Sequence, residues 1–420
     1  MNAGVGQVTI NAHPGAIMDG RRASGGATGS HDDLSVRALF LSDRGRQVAI
    51  VGMDLLFAER DTIDRLKGAV ERVLGIAPHE LLINFSHTHA APCFSRWNFG
   101  GPPDALYVQK VEDALIVALA QARTAQRPVR LFAGSGRTRL PLSRRQPDDS
   151  GRITFRPNPH GSVCDVLPYC MFKDAADAVV AMIFSVSCHP SIIFLHDTTA
   201  DFPGVAVAEM NRRLRTGGSI FLQGAGGDAK PRVIALDERG WRQDVWADVE
   251  AAGRQVADEL TAALENAREV VPDLRARLTD MVFPLRPAPD AQQLRAEPDS
   301  HRRPWVEEML RRLELFSQLP QNVPVSLHAV QLAAGVRLVG VEAELTSDLG
   351  NAVLAHFGEG VTFPMGYTNG VQLYLPSDRQ LGEGGYEAES AWEYHWPSNL
   401  AHGVDARLGA ALRDLGLYSI

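Results

Sequence analysis

Two histidines separated by a single residue are the first feature of the sequence that could do chemistry. His87 and His89 lie in the segment 86–92, directly after an apolar stretch that ends at Phe85. In an extended backbone, residues i and i+2 point to the same side, and a neutral imidazole is a common metal ligand. The spacing therefore favours one metal ligand with a neighbouring histidine, or two ligands. The alternative is a pair of surface histidines in a loop.

A third histidine, His189, follows the long apolar run 179–188. Such a run predicts a strand that is buried on both faces. Open α/β sheets bind their ligands at the carboxyl ends of the strands, so this position favours a site residue. The alternative is a core histidine that hydrogen-bonds to a backbone carbonyl.

A glycine-rich segment, 223–232, follows another predicted strand and contains Asp228 and Lys230. It lacks the GK[ST] ending of a phosphate-binding loop, and it does not match the GxGxxG pattern. Its glycines permit a close approach of the backbone to a ligand or a metal shell. The alternative is a tight turn with solvated charges.

The remaining candidate site residues have acidic or phenolic side chains. Glu342 and Glu344 end a predicted strand that starts at Val336. Either carboxylate could bind a metal, although a solvated glutamate is the ordinary alternative. Three of the seven tyrosines follow within a glycine-rich stretch: Tyr367, Tyr374 and Tyr386. Tyrosines in such loops often serve a site, and packing is the alternative for each of them.

Strand and helix patterns alternate along the chain, which predicts the α/β class. The predicted strands cover 47–56, 80–85, 179–188, 219–223, 361–367 and two stretches within 325–341. The predicted helices cover 60–74, 105–122, 205–214, 243–267, 305–319, 346–356 and 404–415. The stretch 144–160, rich in proline and charge, predicts a long loop. We expect a single catalytic domain over 1–420, with a lid or insertion at 284–325.

The composition excludes several classes of protein. Of the 420 residues, 45% are apolar and 22% are charged, which is ordinary for a globular chain and argues against disorder or a fibre. The net charge of −8 argues against a nucleic-acid or anionic-membrane partner. Four scattered cysteines predict reduced thiols. With no signal peptide and no apolar run of about 20 residues, we expect a cytoplasmic protein without membrane insertion, and a homo-oligomer is left open.

Taken together, these blocks resemble the neutral/alkaline (non-lysosomal) ceramidase family, a group of zinc hydrolases. The matching segments are 86–92, 143–145, 158–165, 187–190, 199–204, 227–231, 341–350 and 366–388. They follow the family's order and span most of the chain. The resemblance implies the family's catalytic domain, with mixed β-sheets flanked by helices and without a C-terminal immunoglobulin-like domain.

The resemblance also implies roles for individual residues. It implies one zinc ion with four ligands: His87, His189, Glu344 and Tyr374. It further implies an active-site arginine that grips the substrate, a tyrosine that stabilises the oxyanion and a histidine beside the metal: Arg144, Tyr386 and His89. We expect His89 to move the proton to the leaving group and Asp228 to orient a ligand histidine.

The chain departs from the family's pattern at Lys230, where the family carries a serine. A lysine can pair with a carboxylate or a sugar hydroxyl, which predicts a polar substrate. We therefore expect a zinc-dependent hydrolase that cleaves an amide, or an ester or lactone, of a polar small molecule by means of zinc-activated water. The alternatives are a true ceramidase acting on N-acyl-sphingosine and a non-catalytic protein that binds a metal or a polar ligand. Amidohydrolases also begin with HxH, but they require a (β/α)₈ barrel.

Overall fold

Strands form the framework of the protein in the computed structural model, which describes residues 1–20, 26–96, 102–237 and 240–416. The strands within these ranges are β1 (Asn2–Thr9), β2 (Gly29–Ser30), β3 (Ser35–Asp43), β4 (Arg46–Met53), β5 (Leu81–Phe85), β6 (Arg127–Pro128), β7 (Arg130–Arg137), β8 (Pro141–Pro147), β9 (Ile153–Asn158), β10 (Val166–Lys173), β11 (Val179–Val186), β12 (Asp197–Thr198), β13 (Ser219–Gln223), β14 (Ala229–Pro231), β15 (Arg268–Val270), β16 (Pro272–Pro284), β17 (Asn322–Ala333), β18 (Val336–Val341), β19 (Glu344–Leu345), β20 (Val361–Met365) and β21 (Tyr374–Leu375).

Helices connect and flank these strands. The α-helices of the described ranges are α1 (Arg60–Leu74), α2 (Ala105–Thr124), α3 (Asp201–Leu214), α4 (Trp246–Ala263), α5 (Ala291–Arg295), α6 (Arg303–Phe316), α7 (Ser347–Phe357), α8 (Asp378–Glu383), α9 (Tyr386–Glu389) and α10 (Val404–Asp414). Short 3₁₀ turns lie at Arg232–Ile234, Leu264–Asn266, Ser300–Arg302 and Ala391–Tyr394. None of the described helices is long and apolar enough to cross a bilayer.

Helix α1 shows how local sequence sets an element. Ile63, Leu66 and Val70 recur at helical spacing and are buried along one face. Gly75 ends the helix in the left-handed conformation, with φ of 65°, and its N–H donates to the carbonyl of Glu71. The predicted bounds of this helix agree with the structure because both the apolar spacing and the stop signal are local.

Three mixed sheets form the body of the fold, and each contains one parallel strand pair. Their strand orders are β5-β4-β3-β1-β6, β13-β11-β10-β7-β15 and β16-β17-β18-β20. The parallel pairs are β4 with β5, β11 with β13 and β18 with β20, and the other pairings within these sheets are antiparallel. The α/β prediction is confirmed, with mixed sheets and flanking helices.

The three sheets share a buried apolar core. Each sheet contributes two or more fully buried side chains to it, among them Leu39, Ile50, Ile183, Leu222, Leu338 and Phe363. Helices cover the outer faces: α1 and α2 the first sheet, α3 and α4 the second, α7 and α10 the third. With both faces covered, the parallel strands are buried and mainly apolar, and in β5 every residue is buried and all but Asn84 are apolar.

Asn84 in β5 ties the three sheets together at the ends of their parallel strands. Its side-chain amide donates to the carbonyls of Gly366 at 2.9 Å and Gln223 at 3.3 Å, and its oxygen accepts from the N–H of Gln223 at 2.6 Å. A buried amide with these partners fixes the strand ends relative to one another. The loops that follow the strands are held in place by this junction.

The predicted loop at 144–160 is wrong. The structure forms a hairpin there, with β8 and β9 paired antiparallel around a turn in which Asp148 accepts from the N–H groups of Ser150 and Arg152. The sequence did not predict β8 because its charged residues suggested a solvated loop. In the structure, Arg144 and Arg145 are buried against Glu387.

The predicted lid or insertion at 284–325 lies between the antiparallel neighbours β16 and β17. It contains α5 and α6, and Asp290 opens α5 with a complete capping box. Helix α6 packs against the segment after α9: the indole N–H of Trp305 donates to the carbonyl of Trp396, and Arg312 donates to the carbonyl of His395. Whether these helices act as a lid stays a prediction.

Candidate metal centre

The loops that leave the three sheets meet at one buried point. His87 follows β5, His189 follows β11, and Glu344 follows β18, and all three side chains are buried. Because the parallel strand pairs end on the same side of the Asn84 junction, their loops converge there. The prediction that strand ends carry the site residues therefore has a structural basis in this junction.

Three histidines present the same ring nitrogen to this point. In each ring, Nδ1 lies within hydrogen-bond distance of a backbone carbonyl: His87 with Leu56 at 2.9 Å, His189 with Gly226 at 2.7 Å and His89 with Gly20 at 3.3 Å. A proton held on Nδ1 leaves Nε2 as a free lone pair, which is the form that binds metals. The Nε2 atoms of His87 and His89 are buried without a hydrogen-bond partner, and the three histidines lie within 4.8 Å of one another through their ligand atoms.

The spacing of the candidate ligand atoms fits zinc. Tetrahedral ligands at about 2.0–2.1 Å from zinc lie about 3.3 Å from one another. The Oε2 atom of Glu344 lies 3.4 Å from Nε2 of His87 and 3.3 Å from Nε2 of His189. The hydroxyl of Tyr374 lies 3.4 Å from the same nitrogen of His189. These residues would fit a zinc ion at the point they surround.

Two tyrosines hold the carboxylate of Glu344. Tyr394 donates to Oε1, and Tyr367 donates to Oε2 at 3.2 Å. Burial would raise the pKa of Glu344, but His87 and His189 outweigh burial and hold that pKa well below its usual range. The carboxylate is therefore ionised and oriented, as a metal ligand must be.

Tyr374 reaches the same point through a short parallel pairing. Strands β19 and β21 place Glu344 directly opposite Tyr374. Arg144 donates from Nη2 to the Tyr374 hydroxyl at 2.9 Å and from Nε to Glu387 at 2.7 Å. Burial raises the pKa of Tyr374 well above its usual value, and the guanidinium of Arg144 acts in the opposite direction. Arg144 is thus the positive charge that favours a phenolate at Tyr374.

His189 and His89 stay neutral in this environment. Burial and then Arg144 lower the pKa of His189 to about 3. Burial, followed by His87 and His189, lowers the pKa of His89 well below its usual value. A neutral imidazole is the form that can bind a metal or accept a proton.

The backbone around the centre is strained and closely packed. His87 has φ of +66° and Tyr367 has φ of +52°, which non-glycine residues adopt at a cost and which cluster at functional sites. A Cβ at Gly227 would lie 2.9 Å from the carbonyl oxygen of Glu344. Only glycine allows the glycine-rich segment to approach the metal centre this closely.

Comparisons with known proteins agree with this arrangement. No family model matches the chain, and no curated protein matches it. The chain superposes on the crystal structure of neutral ceramidase from Pseudomonas aeruginosa with a TM-score of 0.76 and 17% identity, over 99% of this chain and 74% of that one. It also matches a structure described as ceramidase complexed with C2, with a TM-score of 0.73 and 16% identity, over 98% of this chain and 73% of that one.

The chain has the neutral ceramidase fold. The resemblance inferred from the sequence motifs is therefore confirmed for the fold. At such low identity, the superposition shows the architecture, and the roles of individual residues depend on the geometry of the centre itself. In this ceramidase fold, the structure brings together all four predicted ligands and His89.

Two other predicted residues lie beside the centre with partners of their own. Tyr386 packs with its ring centroid 5.4 Å from that of Tyr374 and donates its hydroxyl to Glu393 at 2.7 Å. Asp228 accepts from the N–H of Ser347 at 2.8 Å and from Gln380 at 2.7 Å, and its carboxylate contacts no histidine of the described chain. The expected contact between Asp228 and a ligand histidine is not formed.

The sequence analysis missed two groups of the centre. Tyr394 lies outside the glycine-rich stretch that drew attention to the other tyrosines, and its contact with Glu344 spans 50 positions of the chain. Glu387 adjoins the predicted Tyr386, and it pairs with both Arg144 and Arg145. A buried arginine pair requires a buried acid. The burial of Arg144 and Arg145 is visible only in the structure, so this requirement could not point to Glu387 beforehand.

Proposed function

We propose that the protein is a zinc-dependent hydrolase of amide bonds. The observation that carries the proposal is the set of four ligand atoms from His87, His189, Glu344 and Tyr374. The separations between Glu344 and each histidine and between Tyr374 and His189 are 3.3–3.4 Å, which suits zinc. The ceramidase fold around it supports amide hydrolysis, because the two matched structures are described as ceramidases. An ester or lactone would present the same carbonyl to the site.

The four ligands would hold one zinc ion in the buried centre. A bound zinc ion polarises a carbonyl and lowers the pKa of water from 15.7 to about 7. The protein's own residues prepare this site: the carbonyls of Leu56 and Gly226 orient the two histidine rings, and Tyr367 and Tyr394 orient Glu344. Such outer contacts raise the affinity for the metal.

His89 is the proposed proton carrier. Its Nδ1 atom is engaged by the carbonyl of Gly20, so its free Nε2 atom turns toward the centre. Its lowered pKa keeps the ring neutral and able to accept a proton. In amide hydrolysis, this nitrogen would accept a proton from the attacking water and pass it to the leaving nitrogen.

Tyr386 is the proposed donor to the oxyanion. Burial, followed by the negative charge of Glu393, raises its pKa well above its usual value, so its hydroxyl stays protonated. We infer that the hydroxyl turns from Glu393 toward the carbonyl oxygen as negative charge develops there. One such donor typically contributes about 3 kcal/mol to the transition state.

Arg144 and Asp228 would act on the centre in different ways. The one amino group of Arg144 that has no strong partner, Nη1, lies 3.4 Å from Nε2 of His189. This amino group is the one that would donate a hydrogen bond to a substrate oxygen. Asp228 fixes the glycine-rich segment through Ser347 and Gln380, and that segment supplies the carbonyl that orients His189. Asp228 is thus proposed as a positioning residue that acts through the backbone.

Metal content and amide hydrolysis test the proposal in one set of proteins. We expect the purified protein to contain about one zinc per chain and to lose amidase activity with a chelator and regain it with zinc. Glu344→Gln should lower zinc affinity by at least about 10-fold. The matched control is Glu342→Gln, since Glu342 is equally buried but pairs with Arg60 and Gln372.

The two variants also separate the competing functions. Glu342→Gln should keep zinc and activity while costing about 2 kcal/mol of stability, because it weakens hydrogen bonds to a charged group. Zinc retained in full by Glu344→Gln would remove Glu344 from the ligand set. A zinc-loaded protein that hydrolyses no amide, ester or lactone would favour the non-catalytic alternative.

A further inference from the structure

Lys230 carries a buried ammonium group with little compensation. It lies in β14 beside β8 and is only 3% exposed. Its Nζ atom donates to the carbonyl of Ser191 at 3.3 Å, although an ammonium group can donate three hydrogen bonds. Among the described residues, Lys230 forms no ion pair, and Asp201 is the carboxylate that acts on its charge from a longer distance. Burying a charge in this way is costly unless a partner of opposite sign is supplied.

Two further hydrogen-bond donors next to Lys230 also lack partners. The hydroxyl of Ser191 and the indole N–H of Trp241 are buried and lack hydrogen-bond partners. The backbone carbonyl of Ser191 is the acceptor for Lys230, and the ring of Trp241 lies 5.8 Å from Nζ. Open buried donors are rare in native proteins, and three of them at one place indicate that a bound acceptor completes the site.

The position of these donors ties them to the metal centre. The N–H of His189 donates to the carbonyl of Ala229, which directly precedes Lys230. The ring of Phe194 lies 5.4 Å from Nζ of Lys230 and 5.4 Å from the ring of His89. The ring of Phe194 therefore contacts both Lys230 and the proton carrier His89. On the other side, Phe155 lies near both Lys230 and Arg144.

The electrostatic environment favours an anion. Burial, followed by the positive charge of Arg144, lowers the pKa of the Lys230 amine to about 7, and Arg144 has the largest charge effect on this amine. The nearby carboxylate of Asp201 is already engaged by the N–H groups of Ile192, Ile193 and Phe202. A carboxylate can only accept hydrogen bonds, and it carries the negative charge that would balance Lys230. A hydroxyl is uncharged, and it donates as well as accepts.

We infer that Lys230, Ser191 and Trp241 form a carboxylate-binding subsite, and that the amide substrate carries a carboxylate a few bonds from the scissile bond, as an N-acyl amino acid does. This inference rests on the proposed amide hydrolysis. The reaction would break the acyl C–N bond, with the water oxygen joining the acyl carbon and its proton passing to the amine, so that a fatty acid and a free amino acid are released.

A matched pair of substrates tests the inference directly. N-octanoylglycine and N-octanoylethanolamine share the same acyl group and amide, but the first ends in a carboxylate and the second in a hydroxyl. We expect the wild-type zinc enzyme to cleave N-octanoylglycine with a kcat/KM about 10²-fold higher, the ratio expected for hydrogen bonds to a charged partner. Equal or reversed preference would overturn the subsite.

Variants at Lys230 test whether this residue causes the preference for the substrate with a carboxylate. Lys230→Met removes the amine but keeps an unbranched apolar chain that is one atom shorter, and it should abolish the preference mainly through KM. Lys230→Arg should retain part of the preference. Trp241→Phe should reduce the preference by a smaller factor. The control is Lys173→Met, because Lys173 lies at the end of β10 with its Nζ over Phe132, outside the site. A Lys230→Met enzyme that retains the full preference would refute the role of Lys230.

A binding measurement separates this inference from the proposed function. In 4-oxoundecanoic acid, a methylene replaces the amide nitrogen of N-octanoylglycine, so the ligand cannot be hydrolysed. Calorimetry should show tighter binding of this acid than of the corresponding 4-oxo alcohol, and Lys230→Met should remove the difference. If that holds while no amide is cleaved, the subsite stands and amide hydrolysis fails. If amides are cleaved but the acid and alcohol bind alike, the subsite fails and the hydrolase stands.

Discussion

Two buried polar regions of this molecule contain nearly the same groups and differ in what those groups contact. The metal centre and its neighbour Lys230 include a histidine, His189, with a pKa of about 3, and burial lowers the pKa of Lys230 to about 7. A second region, which we call the support cluster, consists of Arg60, Lys67, His328 and Glu342. Burial likewise lowers the pKa of His328 to about 3 and that of Lys67 to about 7.

The carboxylate and the imidazole of the support cluster have hydrogen-bond partners at all their polar atoms. Glu342 accepts from Arg60, from the N–H of Ser326 and from Gln372. Both ring nitrogens of His328 have partners, Asn369 at 3.0 Å and the carbonyl of His79 at 2.9 Å.

In the metal centre, by contrast, the Nε2 atoms of two histidines are open, and further donors are open beside Lys230. The charges around the two lysines differ as well. Lys67 is near two acids, Asp64 and Glu342, whereas Lys230 is near one acid, Asp201, and the positive charge of Arg144. Burial and shifted pKa values are thus common to both regions. Buried atoms without partners are what distinguish the region that binds a ligand.

The largest expected difference between the regions is in metal binding. His189→Ala should lose nearly all the zinc, a greater loss than the about 10–100-fold typical of an outer contact. His328→Ala removes an equally buried ring but should keep zinc and kcat while costing about 2–4 kcal/mol of stability. Metal analysis and urea unfolding of both variants measure the two effects. Zinc lost from His328→Ala, or kept by His189→Ala, would show that open nitrogens are not the criterion.

A smaller effect should divide two neighbouring tyrosines of the metal centre. Tyr386→Phe should keep zinc and substrate binding but lower kcat by about 10²–10³-fold, the loss typical of an oxyanion donor. Tyr374→Phe should weaken zinc binding, so that added zinc restores part of its rate.

The check on the two tyrosines is zinc content and kcat on one amide substrate. Loss of zinc in Tyr386→Phe with retention in Tyr374→Phe would exchange the two assignments. A change of less than tenfold in kcat for both would make the two rings packing residues.

The last prediction concerns Lys67 of the support cluster and the dependence of protein stability on pH. The pKa of this amine is about 7 in the folded protein and about 10.4 in an unfolded chain. Between these values the unfolded state binds the extra proton. The free energy of unfolding therefore rises with pH by up to about 1.4 kcal/mol per pH unit, and this contribution is lost as pH falls toward about 7.

Lys67→Met removes this slope without changing the metal centre. The stability difference between the variant and the wild type should be greatest near pH 7 and shrink toward pH 10, as measured by urea unfolding at pH 7, 8.5 and 10. The contribution of Lys230 is common to both proteins and cancels. Parallel curves at the three pH values would mean that Lys67 titrates normally in the folded protein.

Much of the fold could be read from local patterns. Helix α1 has its predicted bounds, and β13 is also found where predicted, because apolar spacing and stop signals act within a few residues. The hairpin of β8 and β9 could not be predicted this way. Its arginines are acceptable in a buried strand only because Glu387, more than 240 positions away, supplies the opposite charge.

The candidate ligands were predictable in type and only partly in arrangement. His87 and His189 follow apolar runs that end at a sheet edge, and this local signal identifies them. Glu342 and Glu344 are two residues apart, and their spacing does not separate them. Their side chains contact different partners because β18 ends at Val341. Glu344 belongs to β19 and faces Tyr374, while Glu342 contacts Arg60.

The sequence by itself determined the α/β class, the seven predicted strands, most of the helices and the histidines at strand ends, because these depend on periodicity and short-range backbone preferences. The tertiary structure alone decided which buried polar groups remain without a hydrogen-bond partner. Whether a buried atom finds a partner depends on residues far away in the chain, such as Tyr394 for Glu344, Arg60 for Glu342 and Asn369 for His328. Hydrogen bonding is a short-range interaction in space, so only the folded arrangement shows which atoms it leaves free for a metal or a substrate.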